Sequence, residues 1–296
     1  MKTLITGATG LMGALFLEKL AKNHPSAEIS CLIRPTSNCS SLNTLNLKLN
    51  YLTGDSAKSE TWRHILSEET FDTIFHLVQL RHVPTILDSL QTLGQIPRLV
   101  IIGTTGVYSK YNQYSVEYKT AETRLKSYPG PYCLLRPTMI YGSYRDKNIH
   151  KLIRFCHKYG FFPVFGPGNN LLQPVHADDL AKTLLYLWEN PHIAGEYDLS
   201  GGTVVSFREL LALVSQLISK PVRQISLPLK FGISMARILE AILKTRSPVK
   251  VEQILRLQED KAYPHKAAQK DLAFYPRSLE EGLRQEVELM RKKTVI

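Results

Sequence analysis

The chain has 296 residues, 44% of them hydrophobic and 21% charged, with a formal net charge of +11. That length suits one large α/β domain or a domain with a smaller appendage, and the composition is that of a folded globular protein, not a disordered or fibrous one. No apolar run reaches the roughly 18–20 residues that span a bilayer, and the cysteines (Cys31, Cys39, Cys133, Cys156) have no metal-ligand spacing.

The basic residues are scattered apart from Arg291-Lys292-Lys293, and no nucleic-acid motif accompanies them. The excess charge therefore reads as a solvated face, with no nucleic acid as partner. Cys31 and Cys133 sit in apolar runs, where cysteine acts as a small hydrophobe, which fits a reducing cytoplasm. Lys2 followed by an apolar stretch imitates a secretion signal, but the glycine spacing, Glu18 and the lack of a cleavage site argue against one.

In chain order, a short apolar strand ending at Thr6 runs into Gly7-Ala8-Thr9-Gly10-Leu11-Met12-Gly13, and Leu11, Leu15, Leu17 and Leu20 follow on a helical period. Strand, glycine turn and helix in that order make a dinucleotide site. The glycines let backbone approach a pyrophosphate, and the helix N-terminus offers free amides to the anion. Further strands are expected at 28–33, 47–52, 73–77, 98–102 and 132–135, with helices at 11–22, 60–66, 83–93 and 117–126. Apolar strands alternating with helices imply a parallel sheet covered on both faces, with ligands at the strands' carboxyl ends.

Beyond Gly142 the pattern loosens. A helix is expected at 148–158, a Pro/Gly-rich loop at 161–168, a helix at 178–188 capped by Asp178-Asp179, a strand at 195–199 and a helix at 207–218 capped by Ser206. Segment 227–243 is apolar with Lys230, Arg237 and Glu240 on a helical period; it reads as a helix of a small C-terminal lobe, in preference to membrane-surface attachment. The expected fold is α/β, a Rossmann-type doubly wound parallel sheet with that lobe. Residues 1–142 form the nucleotide-binding domain, 171–200 return to it, and 143–170 with 201–296 make the lobe.

Arg34 follows the second strand, where an NAD-selective turn usually places Asp or Glu. A guanidinium there faces a 2′-phosphate, so NADP is expected, with NAD the alternative. Asp55, after the third strand, can accept from the adenine amine or serve as a turn residue. Several stretches then fall in a shared order: Thr6 to Gly13, Gly54-Asp55, Phe75-His76-Leu77, Thr104-Thr105-Gly106-Val107-Tyr108, Leu135 to Gly142, Gln173 to Asp179 and Asp271 to Pro276. Together they resemble the extended and atypical short-chain dehydrogenase/reductases, the NAD-dependent epimerase/dehydratase family, over nearly the whole chain.

The resemblance implies a nicotinamide cofactor held by Gly7, Thr9, Gly10, Leu11, Met12 and Gly13, with further contacts from Leu77, Lys119 and Pro137. It also implies a tyrosine, its phenol lowered from about 10 by a lysine, exchanging a proton with a substrate hydroxyl beside Thr104. Tyrosine and lysine normally stand four apart on one helix face. Here Lys119 matches the lysine, but Ser115 stands four residues earlier, leaving Tyr114 and Tyr118 as candidates about 100° off around the helix. The bland reading, surface or packing tyrosines, weighs equally.

Two further departures concern substrate. Met139 and Leu172 occupy places where sugar-nucleotide epimerases commonly carry Asn and Arg, so a more apolar substrate touching Met139, Phe162, Phe165 and Leu172 is expected beside the sugar-nucleotide alternative. His76 and His176 read as scaffold residues. The leading expectation is an NAD(P)-dependent oxidoreductase or epimerase moving hydride at a carbinol or carbonyl carbon of a small molecule, dimerising through the helix at 117–126. The alternative is a non-catalytic NAD(P)-binding redox sensor or accessory subunit, whose basic surface and 227–243 helix face a partner or a membrane.

Overall fold

Residues 1–144, 146, 148–244 and 250–296 are described by the computed structural model. A seven-stranded sheet forms from β1 (Thr3–Thr6), β2 (Glu28–Ile33), β3 (Lys48–Thr53), β4 (Thr73–His76), β5 (Arg98–Ile102), β6 (Tyr132–Pro137) and β11 (Gly195–Leu199), in the order β11-β6-β5-β4-β1-β2-β3. Every pairing is parallel. The order reverses between β1 and β4, and a crevice opens at the carboxyl ends on either side of such a reversal.

β1, β4 and β5 are buried at every residue because helices cover both faces. The period-two alternation of a strand divides their side chains cleanly. Ile5, Phe75, Val100 and Leu135 join Phe16, Leu17 and Leu20 of α1 (Leu11–Asn23) with Leu180 and Leu184 of α6 (Ala177–Glu189). Leu4, Ile74, Leu99 and Leu134 meet α2 (Ser59–Glu68), α3 (Val83–Leu93) and α4 (Ser115–Lys126) through Trp62, Ile86 and Leu125. Arg136, in β6, is buried but bidentate to Glu122 of α4 at 2.8 Å and bonded to Glu196 of β11 at 2.5 Å, so its charge is fully engaged.

A third apolar cluster unites α5 (Ile149–Tyr159), α7 (Phe207–Leu217) and α11 (Leu279–Lys292) through Ile153, Val214, Leu283 and Met290. By contrast α10 (Lys266–Leu272) packs on the main sheet, placing Ala268, Leu272 and Phe274 among the α1 and α6 side chains. β7 (Ile140–Tyr141) pairs β10 (Val175–His176), and β9 (Leu171–Leu172) pairs β12 (Val205–Ser206).

Two expectations are corrected. The stretch taken for a loop contains β8 (Phe161–Phe165), which pairs in parallel with β13 (Arg223–Leu227); a distant partner, not local pattern, makes it a strand. His176, not the Asp pair, caps α6, its Nδ1 accepting from the Asp178 amide at 3.2 Å. Asp178 and Asp179 instead hold Arg277, at 2.6 and 2.8 Å. The 227–243 segment forms the expected helix, α8 (Leu229–Leu243), of which only Gly232 and Ala236 are buried. α9 (Val251–Arg256) follows and packs against α8.

Candidate functional site

The carboxyl ends of β1, β4, β5 and β6 open into one cleft of about 700 Å³. Gly7, Gly10, Leu11, Met12 and Gly13 line it from β1, Leu77 from β4, Thr104 and Ser109 from the segment after β5, and Thr138 and Met139 from beyond β6. The turn after β1 closes on itself, the Gly10 amide donating to the Gly7 carbonyl at 2.9 Å. Gly10 caps α1 with no side chain, and the first helical bond is Ala14 to Gly10. The amides of Leu11, Met12 and Gly13 thus precede the hydrogen-bond ladder and remain available to an anion, with no acidic residue in the first turn to compete. A Cβ on Gly13 would stand 2.2 Å from the Gly7 carbonyl oxygen. Only glycine lets helix and turn meet this closely, which is the cradle a dinucleotide requires.

The opposite wall comes from the C-terminal part of the chain: Gln253, Arg256, Leu257, Glu259, Lys261 and Tyr263. Glu259 fastens this wall to the segment after β5, accepting from Ser109 Oγ at 2.6 Å and from the Lys110 amide at 2.7 Å. Lys261 is half-buried and its ammonium has no hydrogen-bond or ion-pair partner among the described residues. Burial, reinforced by neighbouring Arg256, pushes that ammonium down to about 8. Asp146 also lines the cleft and lies beside Glu286, whose carboxyl is raised by burial and by the Asp146 charge.

The expected site residues divide. Thr104 reaches the cleft; its Oγ1 accepts from the Gly106 amide at 3.0 Å, leaving the hydroxyl proton free to donate. Tyr114, Tyr118 and Lys119 do not line it. The Arg81 guanidinium lies 4.8 Å above the Tyr114 ring, and Lys119 is exposed. Tyr118 packs against the α2–α4 cluster, where burial raises its phenol, opposite to the shift a neutral-pH proton carrier needs. Tyr108 is likewise pushed up to about 12 by burial, its hydroxyl donating to Asp198.

Thr9, Arg34, Asp55 and Pro137 stand at strand ends but outside the cleft lining. Asp55 Oδ1 accepts from the Ala57 amide at 3.0 Å, an Asx turn. Arg34 is exposed and its guanidinium has no partner among the described residues. Of the four side chains expected to form an apolar pocket, only Met139 reaches the cleft. Phe162 and Leu172 belong to the third core cluster, and Phe165 lies under Gly232 of α8. His76 is a scaffold residue, between Thr6 Oγ1 at 3.1 Å and the Gln79 carbonyl at 3.2 Å. Sequence reasoning missed the whole C-terminal wall; the basic pair Arg256 and Lys261, five apart and flanking acidic Glu259-Asp260, carried no motif that marked it.

Among curated proteins, the chain is 24% identical over 242 residues to the trifunctional UDP-glucose 4,6-dehydratase/UDP-4-keto-6-deoxy-D-glucose 3,5-epimerase/UDP-4-keto-L-rhamnose-reductase of Arabidopsis thaliana, a match to 66% of this chain but 36% of that protein. It is 25% identical over 267 residues to the uncharacterized UDP-glucose epimerase YtcB of Bacillus subtilis, covering 73% of this chain and 82% of the relative. Among solved structures, UDP-glucuronic acid 4-epimerase from Bacillus cereus, in complex with UDP-glucuronic acid and NAD, superposes with a TM-score of 0.74 at 18% identity over 99% of this chain and all (100%) of that one. The family model described as the NAD dependent epimerase/dehydratase family matches residues 3–199, and with β1 through β11 inside that match, the chain belongs to this family of extended short-chain dehydrogenase/reductases.

Proposed function

We propose that this protein binds a nicotinamide dinucleotide in the cleft and acts as an oxidoreductase or epimerase on a small, anionic substrate of the sugar-nucleotide class. The observation that carries the reading is the uncapped N-terminus of α1 facing a cleft at the point where strand order reverses. Gly7, Thr9, Gly10, Leu11, Met12 and Gly13 would hold the diphosphate, Leu77 and Pro137 the nicotinamide side, and Asp55 the adenine side. Arg34, unpaired at the end of β2, favours the 2′-phosphate of NADP over NAD. The family's coenzyme supplies a hydride acceptor and donor. Residues 143–170 and 201–296, apart from α10, serve as the substrate lobe, and the Arg256 guanidinium on its wall suits a phosphate-bearing substrate better than an apolar one.

Within the cleft, Thr104 donates its hydroxyl proton to the substrate oxygen and holds it in place. Lys261 is the side chain we assign to proton exchange with that oxygen, in preference to Tyr114, Tyr118 or Lys119. An ammonium pushed down to about 8 by burial lies close enough to neutrality to give and take protons there.

Calorimetry with NADP+ and NAD+ tests the first half. NADP+ should bind more tightly, and Arg34→Ala should cost NADP+ at least tenfold while sparing NAD+; no binding of either at millimolar levels overturns the reading. For the second half, oxidation rates over a panel of sugar nucleotides should climb between pH 7 and 9, and Lys261→Met should remove that limb while leaving coenzyme affinity intact. A second reading, a coenzyme-binding protein without turnover, is favoured by the position of Tyr114, Tyr118 and Lys119 outside the cleft. Tight coenzyme binding with no reaction across sugar nucleotides, alcohols and ketones would select it.

A further inference from the structure

α8 is turned inside out for a helix of a folded lobe. Its fifteen residues bury only Gly232 and Ala236, and the missing side chain of Gly232 lets the backbone settle on the Phe165 ring, where a Cβ would stand 2.5 Å from the nearest ring carbon. The flank roughly a quarter-turn or more around from that contact is bare: Phe231 is 54% exposed, Ile238 60% and Ile242 71%. These residues stand at i, i+7 and i+11, one stripe of a helix, and half-buried Met235 falls on the same stripe. More than 100° around the helix from it, Lys230, Arg237 and Lys244 repeat every seven residues and form a separate polar face; all three are exposed and without ion-pair partners among the described residues. Glu240, the one acidic residue of α8, lies between Arg237 and Lys244 on the polar face, half-buried, accepting from the Val251 amide at 3.4 Å.

We propose that α8 lies in the headgroup plane of an anionic lipid bilayer, with Phe231, Ile238 and Ile242 in the acyl boundary and Lys230, Arg237 and Lys244 against lipid phosphates. A helix of 15 residues is about 22 Å long and cannot cross, and no described helix is long and apolar enough to do so. An apolar stripe with lysine and arginine on the polar face is the pattern of a helix that rests on a membrane. Charge selects the occupant. A second copy would bring another +11 against a basic row, whereas an anionic surface brings the opposite sign. The reading stands apart from the proposed catalysis, since none of these residues lines the cleft.

Flotation of the full chain with phosphatidylcholine vesicles, with and without an equal part of phosphatidylglycerol, tests this. Binding should be at least tenfold stronger on the anionic vesicles. The triple substitution Phe231→Ser, Ile238→Ser, Ile242→Ser should abolish it, as should the reversal Lys230→Glu, Arg237→Glu, Lys244→Glu. Because all six side chains are exposed, thermal midpoint and coenzyme affinity should stay as in the parent, which separates lost docking from lost folding. Absent binding to either vesicle, or undiminished binding of the serine variant, overturns the proposal. So does a dimer in sedimentation equilibrium that the serine variant dissolves while the parent ignores vesicles.

Discussion

Gly13 shows how little freedom the nucleotide cradle has. The atoms a Cβ would strike are backbone, the Gly7 carbonyl oxygen at 2.2 Å and the Ala8 Cα at 2.8 Å, so no rotamer change can relieve the contact. Gly13→Ala must push α1 away from the turn. We expect a loss of about 1–3 kcal/mol in stability by chemical denaturation, with coenzyme affinity falling at least tenfold in calorimetry. Arg277 is the second residue on which much depends. It bridges Asp178 and Asp179, with Asp179 only 4% exposed, and its guanidinium holds the Asp179 carboxyl below the usual range against the opposing effect of burial. Arg277→Met leaves a buried carboxylate with only the Lys182 ammonium, at 3.2 Å, and should cost about 3 kcal/mol at pH 7. Because the folded-state carboxyl is depressed, that stabilisation is complete above the ordinary Asp value of about 4 and disappears as the pH falls below it. Denaturation curves of parent and variant should therefore converge in acid.

At the scale of elements, α7 rests on a capping box. Ser206 Oγ accepts from the Glu209 amide at 3.2 Å, and Glu209 Oε2 accepts from the Ser206 amide at 2.6 Å. Ser206→Ala should lower stability by about 1 kcal/mol, read from the urea midpoint at unchanged slope. That cap was legible because Ser and Glu at this spacing before an apolar run are a local signal. The central strands were legible for a related reason: covered on both faces, each is a short apolar run between polar turns. β8 was not, since Pro163 and the glycines around Phe161–Phe165 look like loop until β13 is placed beside it. Two-residue strands such as β7 and β12 carry no period at all. The site divides the same way. Gly7 to Gly13, Leu77 and Thr104 follow strands, so chain order announces them. Asp146, Arg256, Lys261 and Tyr263 reach the cleft only through tertiary packing, which no local pattern encodes. Tyr114 and Tyr118 fall short because α4 begins at Ser115, so Tyr114 sits on its N-cap and Tyr118 turns toward Leu125 and its neighbours.

Across the whole molecule, the sheet takes its last strand late. β11 pairs with β6 after the chain has left to build α5, β8 and α6, and α6 then covers the face of α1 bearing Phe16, Leu17 and Leu20. A fragment of residues 1–142 keeps the glycine turn yet leaves that face and the β6 edge bare. It should show no near-ultraviolet circular dichroism and no cooperative thermal transition, whereas the full chain should melt in one step. During synthesis on a ribosome the same geometry imposes a waiting period. The nascent amino-terminal half must linger as an unfinished intermediate until residue 199 emerges, and only then can the coenzyme cradle harden. Chaperone capture and protease nicking should concentrate in that interval, so slowing translation between codons 142 and 199 would lower soluble yield more than slowing it after codon 200.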